Sequence, residues 1–279
     1  MTTTAADEWG AVATAWDASA DYVDAHSSEA TDALVRAAAV QPGDRVLELG
    51  AGPGTLGPIW SRAVEPGGRV VVSDVAPAMV EVAASRNRGF ANVETAVVDA
   101  SSIEYPDASF DVVVSRMGLM FVPEPTRAFG EIHRVLAPGG RFAALTWAAL
   151  EHNPWMTCVG MAAMMNGLVA GPPPFAPGGI FSLGDPAQLE AITAGAGFES
   201  VAVEAVDVCF ESDSLTAHIA RVSSLAAPLA AAFAAADADQ LAAVRRTAAD
   251  LAADHTKPDG TLSLPGRALL VHARAGSQR

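Results

Sequence analysis

Short apolar runs separated by helical periods dominate the first 147 residues. Arg45 to Leu49 is one such run, and it enters a turn at Gly50, Gly52 and Gly54. Arg69 to Asp74, Val93 to Val98, Val112 to Ser115 and Phe142 to Trp147 are β-branched or apolar runs of strand length. Between them lie helical patterns. Glu29 to Val40 places Leu34, Val35 and Ala38 on one side, Thr55 to Trp60 begins a helix, Val75 to Met79 begins another, and Glu124 to Leu136 aligns Phe129, Ile132 and Leu136. Strand, glycine turn, helix is the unit with which open α/β sheets hold nucleotide-like cofactors.

The pattern changes after Trp147. Glu151 to Leu183 carries Met156, Met161, Met164 and Met165, with positions 161, 164, 165 and 168 on one helical face. An irregular Pro/Gly loop follows over 171–179. Methionine adapts to irregular apolar ligands, so this segment is expected to cap an acceptor pocket. Packing on the core alone is the other reading. Asp185 and Pro186 open a further helix as N-cap and first turn. Ser200 to Phe210 is a sixth strand and Ala268 to Ala273 a last one. The alanine-rich stretch 214–256, broken near Pro228, reads as helical, either a lid or a face for another subunit in a homo-oligomer.

Composition narrows the function classes. The chain has 279 residues, 51% of them hydrophobic, which excludes a disordered chain and supplies an ample core. No apolar run reaches the roughly 18 residues that span a bilayer, and the N-terminus lacks a secretory pattern. Cys158 and Cys209 form no metal-type or redox spacing and read as reduced thiols, so a cytoplasmic location is expected. A formal charge of −15 without a Lys/Arg cluster argues against nucleic acid as a partner. No dense Asp/Glu/His set suggests a metal.

The glycine turn departs from the dinucleotide fingerprint G-x-G-x-x-G, because Thr55 stands where the third glycine belongs. Asp74, 20 residues beyond Gly54, is placed to accept both hydroxyls of a ribose, a geometry shared by several adenosine ligands. Arg116, Met117 and Gly118 sit at the end of the fourth strand, where ligands of open sheets bind.

The string Glu48-x-Gly50-x-Gly52-x-Gly54 resembles motif I of the class I S-adenosylmethionine (SAM)-dependent methyltransferases. Asp99-Ala100 resembles that family's D-A position, and Pro106 to Asp111 its P-x-x-x-F-D lead-in. Glu131 to Gly140 resembles the E-x-x-R-V-L-x-P-G-G motif of the ubiquinone/menaquinone-biosynthesis type. The resemblance covers 45–147 and implies a Rossmann-like seven-stranded sheet, the last strand antiparallel, with helices on both faces and a helical cap. It implies that Gly50, Ala51, Gly52 and Gly54 pass the methionine and ribose of SAM, with Glu48 near the ammonium. It further implies Asp74 at the ribose, Val75 and Met79 against the adenine, and Asp99 with Ala100 at the adenine edge. Trp9, Trp16 and Tyr22 match a W…Y opening segment that folds over SAM, and Arg116 is placed at the same site.

The expected organisation is an N-terminal helical segment over the cofactor (1–44), a SAM-binding core (45–150), a cap (151–184), and the remainder of the fold with a helical lid (185–279; lid 214–256). The activity implied is methyl transfer to a C, O or N atom of a small organic acceptor in specialised or quinone-type metabolism, leaving S-adenosylhomocysteine. His152, Tyr22 and Arg116 are the candidates for base or positioning roles. Two alternatives stand beside it: a SAM-binding cyclase, isomerase or inactive homologue, and an NAD-dependent oxidoreductase.

Overall fold

The computed structural model describes residues 4–171 and 173–276; the outer ends of the predicted first and last segments, and Pro172 of the cap, lie outside them. Helices α1 (Ala5–Ala11), α2 (Ala13–His26) and α3 (Ser28–Ala38) precede the sheet. The chain then runs β1 (Arg45–Glu48), α4 (Gly57–Ala63), β2 (Arg69–Asp74), α5 (Pro77–Asn87), β3 (Val93–Val97), β4 (Phe110–Arg116), α6 (Pro125–Val135) and β5 (Leu136–Trp147). After β5 come α7 (Pro154–Met165), α8 (Pro186–Gly195), β6 (Phe198–Ser212), α9 (Leu215–Ser224), α10 (Ala227–Ala235), α11 (Ala238–Leu251) and β7 (Leu262–Ala275).

Seven strands form one sheet in the order β3-β2-β1-β4-β5-β7-β6, flanked by helices on both faces. β1 to β5 are parallel, and β7 is antiparallel to both β5 and β6. The chain builds outward from β1 to β3 and then returns to place β4 on the other side of β1. This reversal opens a crevice at the carboxyl ends of β1 and β4. Burial explains the apolar runs: β2 is buried at five of six positions, and β4 at five of seven.

Several boundaries differ from the sequence pattern. Leu136 leaves the predicted α6 face, because its backbone is already extended and it pairs with Phe110. β5 absorbs Pro138-Gly139-Gly140 as an irregularity in that pairing instead of starting after it. The helix after the glycine turn begins at Gly57, two residues later than Thr55. β6 and β7 extend beyond their predicted limits by pairing with each other as far as Ser212 and Leu262. The alanine-rich stretch is broken near Pro228 as its pattern predicts: α9 ends at Ser224, and Pro228 sits in the first turn of α10. Among the described residues no single helix is long and apolar enough to cross a membrane; the apolar pair α9–α10 is bent by 119°.

The core is close-packed on the sheet, with Trp60, Phe129 and Phe142 fully buried and the last two edge to face at 5.5 Å. The glycine turn is pinned into it. Asn87 Nδ2 donates to the Gly54 carbonyl at 2.9 Å, and a Cβ on Gly54 would stand 2.7 Å from the Ala83 side chain. Gly54 also holds φ +72°, a conformation that an L side chain resists. Gly54 therefore serves close packing of the turn on α5. Gly54→Ala is expected to cost about 1–3 kcal/mol of stability through overpacking, read as a lower urea midpoint. An unchanged midpoint would contradict that packing role.

Candidate functional site

Motif residues converge where β1, β2 and β4 end. Glu48 closes β1, and Leu49 donates to the Val114 carbonyl of β4 at 2.9 Å. Ala51 then donates to Ser73 of β2 at 2.8 Å, so the turn is held from both neighbouring strands. Gly50 (φ +62°) lies so close to Gly118 that a Cβ would meet its Cα at 3.0 Å. Gly52 (φ +54°) is different: a Cβ there would meet nothing within 4 Å, so its outer side is open to a ligand.

Two buried carboxylates flank this turn. Asp74 accepts from Gly52 N at 2.9 Å on one oxygen and from Ala76 N at 3.0 Å on the other. Burial raises its pKa, and those backbone hydrogen bonds oppose the rise. Glu48 is 2% exposed and its Oε2 has no hydrogen-bond partner. Desolvation pushes its pKa up to about 7, against the pull of the Arg116 guanidinium.

Arg116, at the end of β4, is engaged on three sides. Its guanidinium donates to Asp24 Oδ1 at 2.7 Å, Thr55 Oγ1 at 2.7 Å and Thr31 Oγ1 at 3.0 Å. Thr55 in turn donates to Asp24 at 3.0 Å. Thr55, the residue that breaks the dinucleotide pattern, is thus part of a strap joining α2, α3 and the glycine turn to β4. With Asp24 already beside it, Arg116 faces the cavity as half of an ion pair.

These groups line one end of a cavity of about 720 Å³. Glu48, Gly50, Ala51, Gly52, Asp74, Val75, Met79, Asp99, Ala100 and Arg116 all lie on its wall, with Trp9 and Trp16 of the N-terminal helices. The cavity continues past β4 to an end walled by Trp147, Trp155, Met156, Phe181 and Phe210. Met161 and Met164 of α7 also line it, whereas Met165 is 66% exposed and does not.

Three predicted site residues stand off this wall. Gly54 packs under the turn as described. His152 lies exposed in a single 3-10 turn between β5 and α7, outside the cavity. Tyr22 turns away from the wall: its hydroxyl donates to the Glu211 carbonyl at 2.7 Å, and Arg221 covers its ring at 3.6 Å. No sequence spacing announced Asp24, Thr31 or the Trp147–Trp155–Phe210 cluster. Those residues come from five elements and are brought into place only on folding.

The residues fit SAM. Glu48 brings a carboxylate suited to an ammonium to the cavity wall, and Asp74 retains lone pairs for ribose hydroxyls after its two backbone contacts. Val75, Met79 and Val98 supply apolar surface for a purine, and the bare side of Gly52 admits the ligand's close approach. A pyrophosphate would instead meet two buried acids.

Comparison with known proteins agrees. The methyltransferase-domain family matches residues 47–144. The ubiquinone/menaquinone biosynthesis C-methyltransferase of Hydrogenovibrio crunogenus is 38% identical over 112 residues, which cover 39% of this chain and 44% of that protein. The chain therefore spans less than half the length of the curated relatives it matches. The YcgJ protein of Bacillus subtilis superposes with TM-score 0.61 at 20% identity, covering 88% of this chain and 98% of the other. A SAM-dependent methyltransferase of Aquifex aeolicus does so with TM-score 0.53 at 23% identity, over 69% and 90%. At such identities the structural likeness is one of fold. Residues 47–144 of this chain therefore carry a domain that matches the methyltransferase-domain family, in a fold that superposes on a SAM-dependent methyltransferase.

Proposed function

We propose that this protein transfers the methyl group of SAM to a C, O or N atom of a small organic acceptor, in specialised or quinone-type metabolism. The observation that carries this reading is the division of one cavity. Two buried carboxylates and an open glycine turn occupy one end, and apolar and aromatic side chains occupy the other. Bound at the acidic end, SAM supplies a methyl group on a positively charged sulfur, an electrophile that needs no further activation. What remains for the chain is to hold the acceptor in line and exclude water.

The N-terminal helices support the exclusion of water. α2 is fastened at four places around the cavity. Asp17 pairs with Arg86 of α5 at 2.6 Å, and Asp24 with Arg116 of β4 at 2.7 Å. Trp16 Nε1 donates to the Leu225 carbonyl at 2.9 Å, and Tyr22 to that of Glu211. In this reading residues 1–44 cover the cofactor and 45–150 hold it. Segment 151–184 caps the acceptor, and 185–279 completes the sheet and adds the lid over 214–256. Arg116 and Tyr22 position the cover, and neither they nor the exposed His152 is required as a base.

Calorimetric titration is expected to show saturable binding of SAM and S-adenosylhomocysteine and none of NADH; binding of NADH alone would overturn the cofactor assignment. Transfer of an isotopic methyl group to an acceptor then separates this function from a SAM-dependent cyclase or isomerase. Asp74→Ala should weaken SAM by about 1.5–3 kcal/mol, the scale of lost hydrogen bonds to a charged group, and unchanged affinity would remove Asp74 from the site.

Glu48 generates a two-sided expectation. Its folded-state pKa of about 7 lies above the ordinary 4.5, so between those values the folded chain holds a proton that the unfolded chain has released. Stability must therefore fall as pH rises through that window. Glu48→Gln removes the loss and should be more stable than the parent at pH 8, by about 2–3 kcal/mol, while binding SAM more weakly. Urea unfolding at pH 5 and 8, paired with SAM titration, reads both. A variant neither stabilised at pH 8 nor weakened toward SAM would show that Glu48 is no ligand group.

A further inference from the structure

The aromatic end of the cavity is more tightly specified than an apolar wall needs to be. Trp155, at the start of α7, lies nearly flat on Phe210 of β6, ring centres 4.2 Å apart at 23°. Trp147 of β5 stands beside it at 5.0 Å. Three separate devices hold that indole. Asn153, fully buried, accepts from Trp155 Nε1 at 3.3 Å and from the backbone of Arg267 at 3.0 Å, while its amide donates back to Ala148. His218 of α9, 1% exposed, meets the Trp155 carbonyl through Nε2, leaving its Nδ1 buried without a partner. Gly266 of β7 lets the indole approach the backbone, since a Cβ there would come within 2.7 Å of Trp155 Cδ1 and 2.9 Å of its Nε1.

A buried histidine with an orphaned ring nitrogen is a cost to the fold. Burial lowers its pKa and keeps it neutral, and the bond it makes holds the backbone of Trp155 in place. The charged side chains of the cavity are elsewhere. Glu48, Asp74, Asp99, Arg116 and Asp24 belong to the cofactor end, and the Glu124–Arg127 pair is exposed. None of Trp147, Trp155, Met156, Phe181 and Phe210 is ionisable; His26 stacks on Phe210 at 5.9 Å but is not part of the cavity wall.

We infer that Trp155, fixed by Asn153, His218 and Gly266, is the specificity-determining platform of the acceptor site, and that it selects a neutral, planar ring-bearing molecule. A charged acceptor would lose its hydration there without a countercharge. A saturated one would forgo the stacking that a rigid indole offers at low entropic cost. The inference rests on the proposed methyltransferase reading for the occupant of the other end, but it concerns this end alone.

The test uses the full chain and three probes of similar size: 2-naphthol, 2-naphthoate and decahydro-2-naphthol. Each is titrated calorimetrically at pH 7.5, with and without saturating S-adenosylhomocysteine. 2-Naphthol is expected to bind about tenfold more tightly than either other probe. Trp155→Ala should erase that preference and leave S-adenosylhomocysteine affinity unchanged, while Trp155→Phe retains part of it. Gly266→Ala keeps the indole but displaces it, and should likewise lose discrimination. Equal binding of the three probes by the parent, or discrimination that survives in both Trp155→Ala and Gly266→Ala, overturns the inference. Failure of S-adenosylhomocysteine to bind, with probe discrimination intact, would instead count against the cofactor reading.

Discussion

A carboxylate buried at the end of a parallel strand is expensive, and the architecture around Glu48 is arranged to keep it there. Glu48 lines the crevice where the sheet reverses direction, beside a turn in which Gly52 leaves room for a ligand, while its buried side meets Trp60. Desolvation brings the group to the edge of neutrality, with a pKa of about 7. Such a group gains most when a cation arrives, because the ligand supplies the charge that the fold withholds. Arg116 lies close enough to matter and is itself engaged by Asp24, so it tempers Glu48 without satisfying it.

The same crevice makes the N-terminal helices part of the site. They make no strand, yet the Arg116 strap ties α2 and α3 to the glycine turn, and Trp16 reaches across to the end of α9. The polar network thus closes the cofactor end with side chains drawn from either side of the sheet's reversal. The acceptor end is closed by apolar contact among α7, β6 and α9, with His218 and Asn153 as the few polar struts. One end is built to meet charge and the other to exclude it.

How much of this the sequence disclosed follows from the range of the interactions. The β1 strand, its glycine turn and the acid ending β2 are local patterns, and the structure puts them where the patterns placed them. Gly54 matched the glycine motif but answers to Ala83 and Asn87, a contact that spacing does not encode. Tyr22 and His152 were chosen by residue type and proximity to strand ends. One packs behind the wall, 6.3 Å from Phe210 and held by Glu211 and Arg221, and the other sits on a solvent-facing turn. Arg116 lines the cavity, but its electrostatics depend on Asp24, 92 residues earlier in the chain. The strand ends of β6 and β7 ran past their predicted limits because cross-strand pairing, not hydrophobic pattern, sustains a ribbon that leaves the sheet.

The boundary between what was legible and what was not coincides with a boundary in the molecule. The matched family domain ends at residue 144, and the aromatic wall begins three residues later at Trp147. On the near side the cofactor imposes a fixed chemistry, ammonium, ribose and purine, which a short stretch of strand and turn can answer. On the far side the wall is assembled from β5, α7 and β6, with α9 and β7 behind it, so its shape is set by tertiary packing. A fold that keeps its cofactor contacts on one strand–turn unit and its aromatic wall on later elements can change that wall without disturbing Glu48 or Asp74. In this chain the later elements have been committed to one rigid indole. On the proposed reading, acceptor choice follows from how Trp155 is held, more than from any motif that surrounds it.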